Sequence, residues 1–342
     1  MVPTIQKQKL LIAYNQKNRS PSEKNDIDTI SEDSVQDEAD MVYKSAQQLG
    51  HEVTLLPVQS IQDIFDSTEQ QKPDLIFNLC EGYQGDSRHE MHVASIWELL
   101  NIPYTGNTAL TLGMAQNKIL SKRLFESKKI TTPAFQIFSS VPDQTYLTFP
   151  LIVKPSREDA SLGISLDAVV HDHVTLGKQV QKIINKYNQP ALVETLIDGR
   201  ELNISILDRP EPTVIAISEI DFSNIDPRFP AITSYESKWL SDHPLYKQTP
   251  SICPAELDPG LELTIRDMAL QVYKILGCRD YARIDMRLDQ KNHPYVLECN
   301  PNPDISEDSG YARAVRASGM SYQEFIQTVI QLTLNRNLNG KD

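Results

Sequence analysis

The sequence predicts an α/β fold, with a parallel sheet in its first third and strands joined by tight turns in the remainder. Two observations carry this. Apolar runs at 9–14, 51–58 and 75–79 alternate with helical segments, and a strand–helix–strand–helix–strand order demands a parallel sheet with helices on its faces. Later strands instead follow one another directly: ALVETL passes through IDGR into ELNISIL, and YARIDMRL through DQKNHP into YVLECN. At 342 residues the chain is long enough for two or three modules.

Taken in order, 9–14 reads as a buried strand. A polar, acidic segment then leads into an amphipathic helix at 31–50, with Val35, Ala39, Val42, Ala46 and Leu49 on one face and Gly50 as C-cap. After the third strand, CEGYQGDSRHE is a loop at the carboxyl end of a parallel strand, where open sheets bind ligands. His89 and His92 open a helix at 89–100 and read as surface or cap residues rather than metal ligands. IPYTG closes the first module near Ala109. Residues 116–127 form a basic helix carrying Lys118, Lys122 and Arg123, and a strand begins at 131–138.

PLIVK is a strand ending in Lys154, and PSREDASLGIS follows it with Ser156, Ser161 and Gly163. A lysine beside a loop of free N–H groups fits a phosphate lid, and fits a plain surface loop equally well. A Walker GxxxxGK[ST] run is absent. A helix at 174–187 precedes the strand at 191–196. Glu194 and Glu201 bracket the next turn, either as edge charges or as acceptors for a base amine or a ribose hydroxyl. After a strand at 213–220, residues 221–254 form a long polar connection of the kind that is functional or mobile. Lys238 within it reads from composition as a solvated charge. Helices at 258–276 and 322–334 complete the pattern.

The densest chemistry lies at 281–309. Arg283, Asp285 and Arg287 recur at period two and share one strand face, and Glu298 and Asn300 do the same on the next strand. Ile284, Met286, Val296 and Leu297 supply a packed side. If the two strands pair, Asp285, Glu298 and Asn300 converge beside an arginine. Three oxygen donors suit Mg²⁺, a hard cation that completes its shell with substrate phosphates. The alternative is an acidic strand face turned to water.

Composition narrows the partners. A hydrophobic content of 40% with 23% charged residues describes a soluble globular chain. The net charge of -13 argues against nucleic acid and against an anionic membrane surface. LLIAY is too short for a signal-peptide core or a membrane span. The four cysteines, Cys80, Cys253, Cys278 and Cys299, have no metal-type spacing and read as buried thiols of a cytoplasmic protein.

Eight ordered blocks now assemble: NIPYTGN, the basic helix with Lys118, IVKPSRE, VETLIDGRELNISIL, YESKWLSD, CPAEL, ARIDMRLD and YVLECNPNP. From about Asp74 onward the chain resembles the ATP-grasp superfamily and, within it, the D-alanine–D-alanine ligases. The resemblance implies an N-terminal α/β module at 1–110, a small lid module at 111–197 and a catalytic module at 198–342, the last two α+β and clasping ATP. It implies ATP with Mg²⁺ or Mn²⁺, small-molecule amine and acid substrates, and a homodimer. It puts Lys118 and Lys154 on the ATP phosphates, Ser161 in the lid, Glu194 and Ile197 at the adenine and Glu201 at the ribose. Asp285, Glu298 and Asn300 become metal ligands, Arg283 a transition-state cation, Lys238 a γ-phosphate contact and Ser309 a contact to the acceptor. The implied reaction phosphorylates a carboxylate, which an amine then attacks to form a C–N bond.

The departures fall where that family reads D-alanine. NRSPSEKNDIDTISEDS replaces a block that carries a glutamate. Ala160 stands for a lid serine, Trp239 for a tyrosine, Glu81 for a histidine, and Asp304 for a glycine whose N–H forms an oxyanion hole. The expectation is a ligase with the same phosphate machinery and a different acid or amine. The alternatives are a ligase attaching an amino acid to a mycosporine core, a D-alanine–D-alanine ligase with a drifted pocket, and an ATP-binding regulatory protein without turnover.

Overall fold

The computed structural model describes residues 6–16, 30–159, 161–240 and 242–339; Ala160 and most of the altered N-terminal block lie outside them. Strand β1 (Lys9–Asn15), helix α1 (Ile30–Gln48), β2 (Glu52–Val58), α2 (Ile61–Gln71) and β3 (Leu75–Asn78) build the expected parallel sheet, in the order β2-β1-β3. Parallel pairing requires a crossover between strands, and α1 and α2 supply it.

After α3 (Glu90–Leu99), the expected basic helix is α5 (Lys118–Ser127), and a helix that was not expected, α4 (Ala109–Gln116), precedes it. Asn117 breaks them by leaving helical backbone space, and its side chain accepts the Leu120 N–H as an N-cap. The break sets Lys118 in the first turn of α5. The second sheet comprises β4 (Phe135–Phe138), β5 (Leu151–Pro155), β6 (Val169–Val170) and β7 (Ala191–Thr195), antiparallel in the order β4-β7-β5-β6. Its back is covered by α6 (His173–Tyr187), which buries Leu176, Val180 and Ile183 against Leu151, Val153 and Val193.

The third sheet starts with β8 (Glu201–Asp208) and β9 (Pro212–Ile220). The long connection after β9 carries short helices α7 (Tyr235–Trp239) and α8 (Pro244–Gln248) and ends in β10 (Ser251–Ile252). Helix α9 (Pro259–Ile275) leads into β11 (Tyr281–Leu288) and β12 (Pro294–Asn300), giving the antiparallel order β10-β9-β8-β11-β12. Ile284 and Met286 of β11 are fully buried with Ile265, Ala269 and Val272 of α9, so the alternate residues Arg283, Asp285 and Arg287 face away from that core. Truncating either buried side chain to alanine costs about 2–5 kcal/mol, which is what fixes the strand's facing.

Two final helices follow, α10 (Gly310–Ala317) and α11 (Tyr322–Asn339); α10 was not legible in the sequence pattern. Their Tyr311, Phe325 and Ile330 share a core with Leu75 and Phe77 of the parallel sheet, joining first and last modules. The second and third sheets are linked by the turn at Gly199 (φ +154), where a Cβ would overlap the Leu288 carbonyl. Only glycine fits that approach.

Candidate active site

A cavity of about 830 Å³ lies between the second and third sheets, with Lys154 and Glu194 on one wall and Asn203, Arg283, Asp285 and Glu298 on the other. In the β11–β12 pair, Asp285 stands opposite Glu298 and Arg283 opposite Asn300. The register then shifts: Met286 faces Val296, which leaves Leu297 as the extra residue of a β-bulge. Strict alternation would put Val296 on the same face as Glu298. The bulge instead buries Val296 completely and turns Leu297 into the cavity, so Leu297 does not belong to the packed side expected of it.

Each carboxylate here is held. Asp285 accepts two hydrogen bonds from Arg283 (2.7 and 2.8 Å), one from Asn203 Nδ2 and one from Asn300 Nδ2 (both 2.8 Å). Glu298 pairs with Lys118 at 2.9 Å, and the same ammonium reaches Asp159 at 2.8 Å. Burial pushes the Glu298 carboxyl up, but Lys118 and Lys154 outweigh it and hold the group down at about 2. The donor chemistry fits a magnesium ion: two ionised carboxylates and an amide converge, and Arg283 and Lys118 now supply the positive charge they demand. Among the described residues no group of three or more His, Cys, Asp or Glu offers another metal site.

On the facing sheet, Glu194 is 1% exposed and bridges two buried lysines, Lys154 at 2.7 Å and Lys122 more closely still. The edge-charge reading of Glu194 is therefore wrong. Both its oxygens are engaged by lysines, and Glu194 and Ile197 both form part of the cavity wall. Glu201 is likewise buried and accepts Arg287 Nη1 at 2.8 Å, while Arg287 Nη2 donates to the Gly199 carbonyl. Lys122 and Asn203 were missed as site residues. Lys122 follows Lys118 at i+4, on one helix face, and Asn203 follows Glu201 at period two.

The lid and loop residues gather at the same mouth. Ser161 adopts φ +60 and donates to the Thr233 carbonyl (3.2 Å), tying the lid loop to the segment before α7. Lys238 is part-buried in the cavity wall with its ammonium 5.0 Å from the Trp239 ring, and burial, then Arg283, lower its pKa. It is not the solvated charge that composition suggested. Ser309 lines the cavity, yet its Oγ also caps α10 by accepting the Ala312 N–H (3.1 Å). Asp304 lines it too, accepting the Ser306 N–H. Glu81 does not reach this cavity; it lines an adjoining one, where burial and then Asp304 push its carboxyl up to about 8. The His89 and His92 rings lie 5.4 Å apart, tilted at 55°, at the start of α3, and line neither cavity.

Solved structures share this architecture. The D-alanine–D-alanine ligase of Bacillus anthracis complexed with ATP superposes with a TM-score of 0.74 over 97% of this chain and 99% of its own, at 20% identity. The VanG D-Ala:D-Ser ligase of Enterococcus faecalis gives 0.71 over 96% and 100%, also at 20% identity. The fold is that of the ATP-grasp ligases.

Sequence relatives narrow it further. The family profile described as D-ala D-ala ligase C-terminus matches residues 118–331. The D-alanine–D-alanine ligase of Cupriavidus necator is 32% identical over 75% of both chains. An uncharacterized protein of Sinorhizobium fredii, y4sG, is 34% identical over 87% of this chain and 88% of its own. The chain belongs to the D-alanine–D-alanine ligase family, ATP-dependent C–N-forming ligases of the ATP-grasp type. No helix among the described residues is long and apolar enough to cross a membrane.

Proposed function

We propose that this protein is an ATP- and Mg²⁺-dependent ligase that joins an amine to a phosphate-activated acid, with a substrate pocket altered from that which reads D-alanine. The observation that carries this is two ion pairs at one end of the β11–β12 hairpin, Arg283–Asp285 within β11 and Lys118 of α5 to Glu298 of β12, beside a nucleotide-sized cavity that Arg283, Asp285 and Glu298 line. Asp285, Glu298 and Asn300 would hold the metal, which neutralises phosphate charge when bound. Lys118 and Lys154 orient the ATP phosphates; Glu194 and Ile197 line the base end and Glu201 the ribose end. Arg283 and Lys238 face the transferring phosphoryl group and stabilise the charge that develops on it. Ser161 closes the lid over it, and Ser309 meets the acceptor.

Glu81 and Trp239 bear side chains that cannot repeat the contacts of a histidine and a tyrosine, and Asp304 adds a carboxylate where a glycine offers only its N–H. The same reading takes the module boundaries near 110 and 197, a homodimer, and a cytoplasmic setting. ADP formation with ATP, Mg²⁺ and amino-acid pools tests it. Turnover with an amine other than D-alanine is the expected result. Strict D-alanine dependence would contradict the altered pocket, and tight ATP binding without turnover on any pool would contradict the ligase.

A further inference from the structure

Beside the nucleotide cleft lies a second cavity, of about 380 Å³, between the loop after β3, the lid loop and residues 300–302. Asn300 lines both cavities, so a molecule held in the second adjoins the metal site. The volume suits a small ligand or one end of a larger one. We propose that this cavity is a subsite for a positively charged end group of a substrate, an aliphatic ammonium or guanidinium of the kind a basic amino acid carries; this rests on the ligase reading above.

The wall chemistry selects a cation. Of its acidic residues, Asp86 is neutralised by a bidentate pair with Arg88 and Asp159 by Lys118, and both oxygens of Glu158 accept hydrogen bonds, from Gln189 and Ser87. Glu90 is different. It is 7% exposed, one oxygen accepts the Asn302 amide (3.1 Å), and the other has no hydrogen-bond or ion-pair partner among the described residues. The Glu81 carboxylate across the cavity has none either; only its backbone N–H is bonded, to Asn15. A buried carboxylate without a cation is costly, and an entering ammonium removes that cost. Burial, then the charges of Asp159 and Glu81, raise the Glu90 carboxyl well above its usual range, as expected where no cation faces it. Tyr83 also lines the cavity, and an aromatic face attracts the same group, while the Tyr187 ring already carries the Lys186 ammonium at 5.1 Å. Two cations share this wall, Arg88, which pairs with Asp86, and Lys186, which lies over the Tyr187 ring; the five acids Glu81, Asp86, Glu90, Glu158 and Asp159 outnumber them.

The test is calorimetric titration of the full chain, saturated with Mg²⁺ and ADP, with both enantiomers of lysine, ornithine and norleucine. Norleucine has lysine's shape without its side-chain charge. Lysine or ornithine should bind at least roughly tenfold more tightly than norleucine of the same hand. Glu90→Gln keeps an oxygen for Asn302 and should bring lysine to the norleucine level with ADP affinity unchanged; Glu81→Gln should act in the same direction. Norleucine binding as well as lysine, or a Glu90→Gln protein that keeps the preference, overturns the subsite while bound ADP leaves the ligase reading standing. A wild-type chain that binds no ADP overturns the ligase reading and the subsite with it.

Discussion

The two ends of the active region are built differently. At the phosphate end, side chains stand on hydrogen-bonded strands and on the first turn of α5, and each acid has its cation: Asp285 has Arg283, Glu298 has Lys118, Glu194 has Lys122 and Lys154. At the acceptor end, Glu38, Glu81, Glu90 and Asp304 form no ion pair among the described residues, and the last three come from loops or a helix's first residue. Glu38 is buried and accepts only the Ile305 N–H, with burial and the charges of Asp304 and Glu81 raising its carboxyl well above the usual range. The first end is charge-matched; the second holds acids with no cation paired to them, and burial pushes the carboxyls of Glu38, Glu81 and Glu90 toward the neutral form. Sheets preserve a reaction, and loops at their mouth are free to change what enters it.

The largest effect that would break this contrast is on stability. Glu194→Gln strands two buried lysines and should cost about 3–5 kcal/mol, read as a lower urea midpoint. A midpoint like wild type would mean the matched charges do not stabilise that end. Next, Glu298→Gln should lower kcat about 10²–10³-fold in the ADP-release assay, since it removes an ionised oxygen from the cation's shell.

Glu81 sharpens the contrast through pH. Its folded carboxyl titrates at about 8, against about 4.3 in an unfolded chain. Between those values the folded state binds more protons, so its contribution to stability is present at the acid end and is lost as pH rises through about 8. The Tm of the ligand-free protein should fall across that window, and Glu81→Gln should flatten the slope. The smallest effect is expected of Trp239→Tyr, a shift of about threefold or more in the KM for the amine with the KM for ATP unchanged. Equal shifts in both would place Trp239 at the nucleotide rather than the acceptor.

Much of the phosphate end was legible because it is written in local periods. Arg283, Asp285, Glu298 and Asn300 are spaced by two, and strand alternation alone directs them together. The β-bulge at Leu297 was not legible, since one extra residue leaves no mark on composition and is revealed only by pairing. Helix α4 was not legible, and the start of α5 was placed two residues early, although Asn117 is a good N-cap. Glu194 looked like an edge charge because its two lysines come from α5 and β5, and long-range ion pairs have no spacing to read. Lys238 was misread for the same reason: composition sees an exposed polar loop, while tertiary packing folds α7 over the cavity.

The most direct test of the central claim is Mn²⁺ binding followed by electron paramagnetic resonance, with ATP present, for wild type and Glu298→Gln. The paired strands β11 and β12 predict that wild type quenches the free-ion signal at stoichiometric metal and that the variant needs at least roughly tenfold more. Equal Mn²⁺ affinity in the two proteins, with ATP bound to both, would contradict a cation held between those strands.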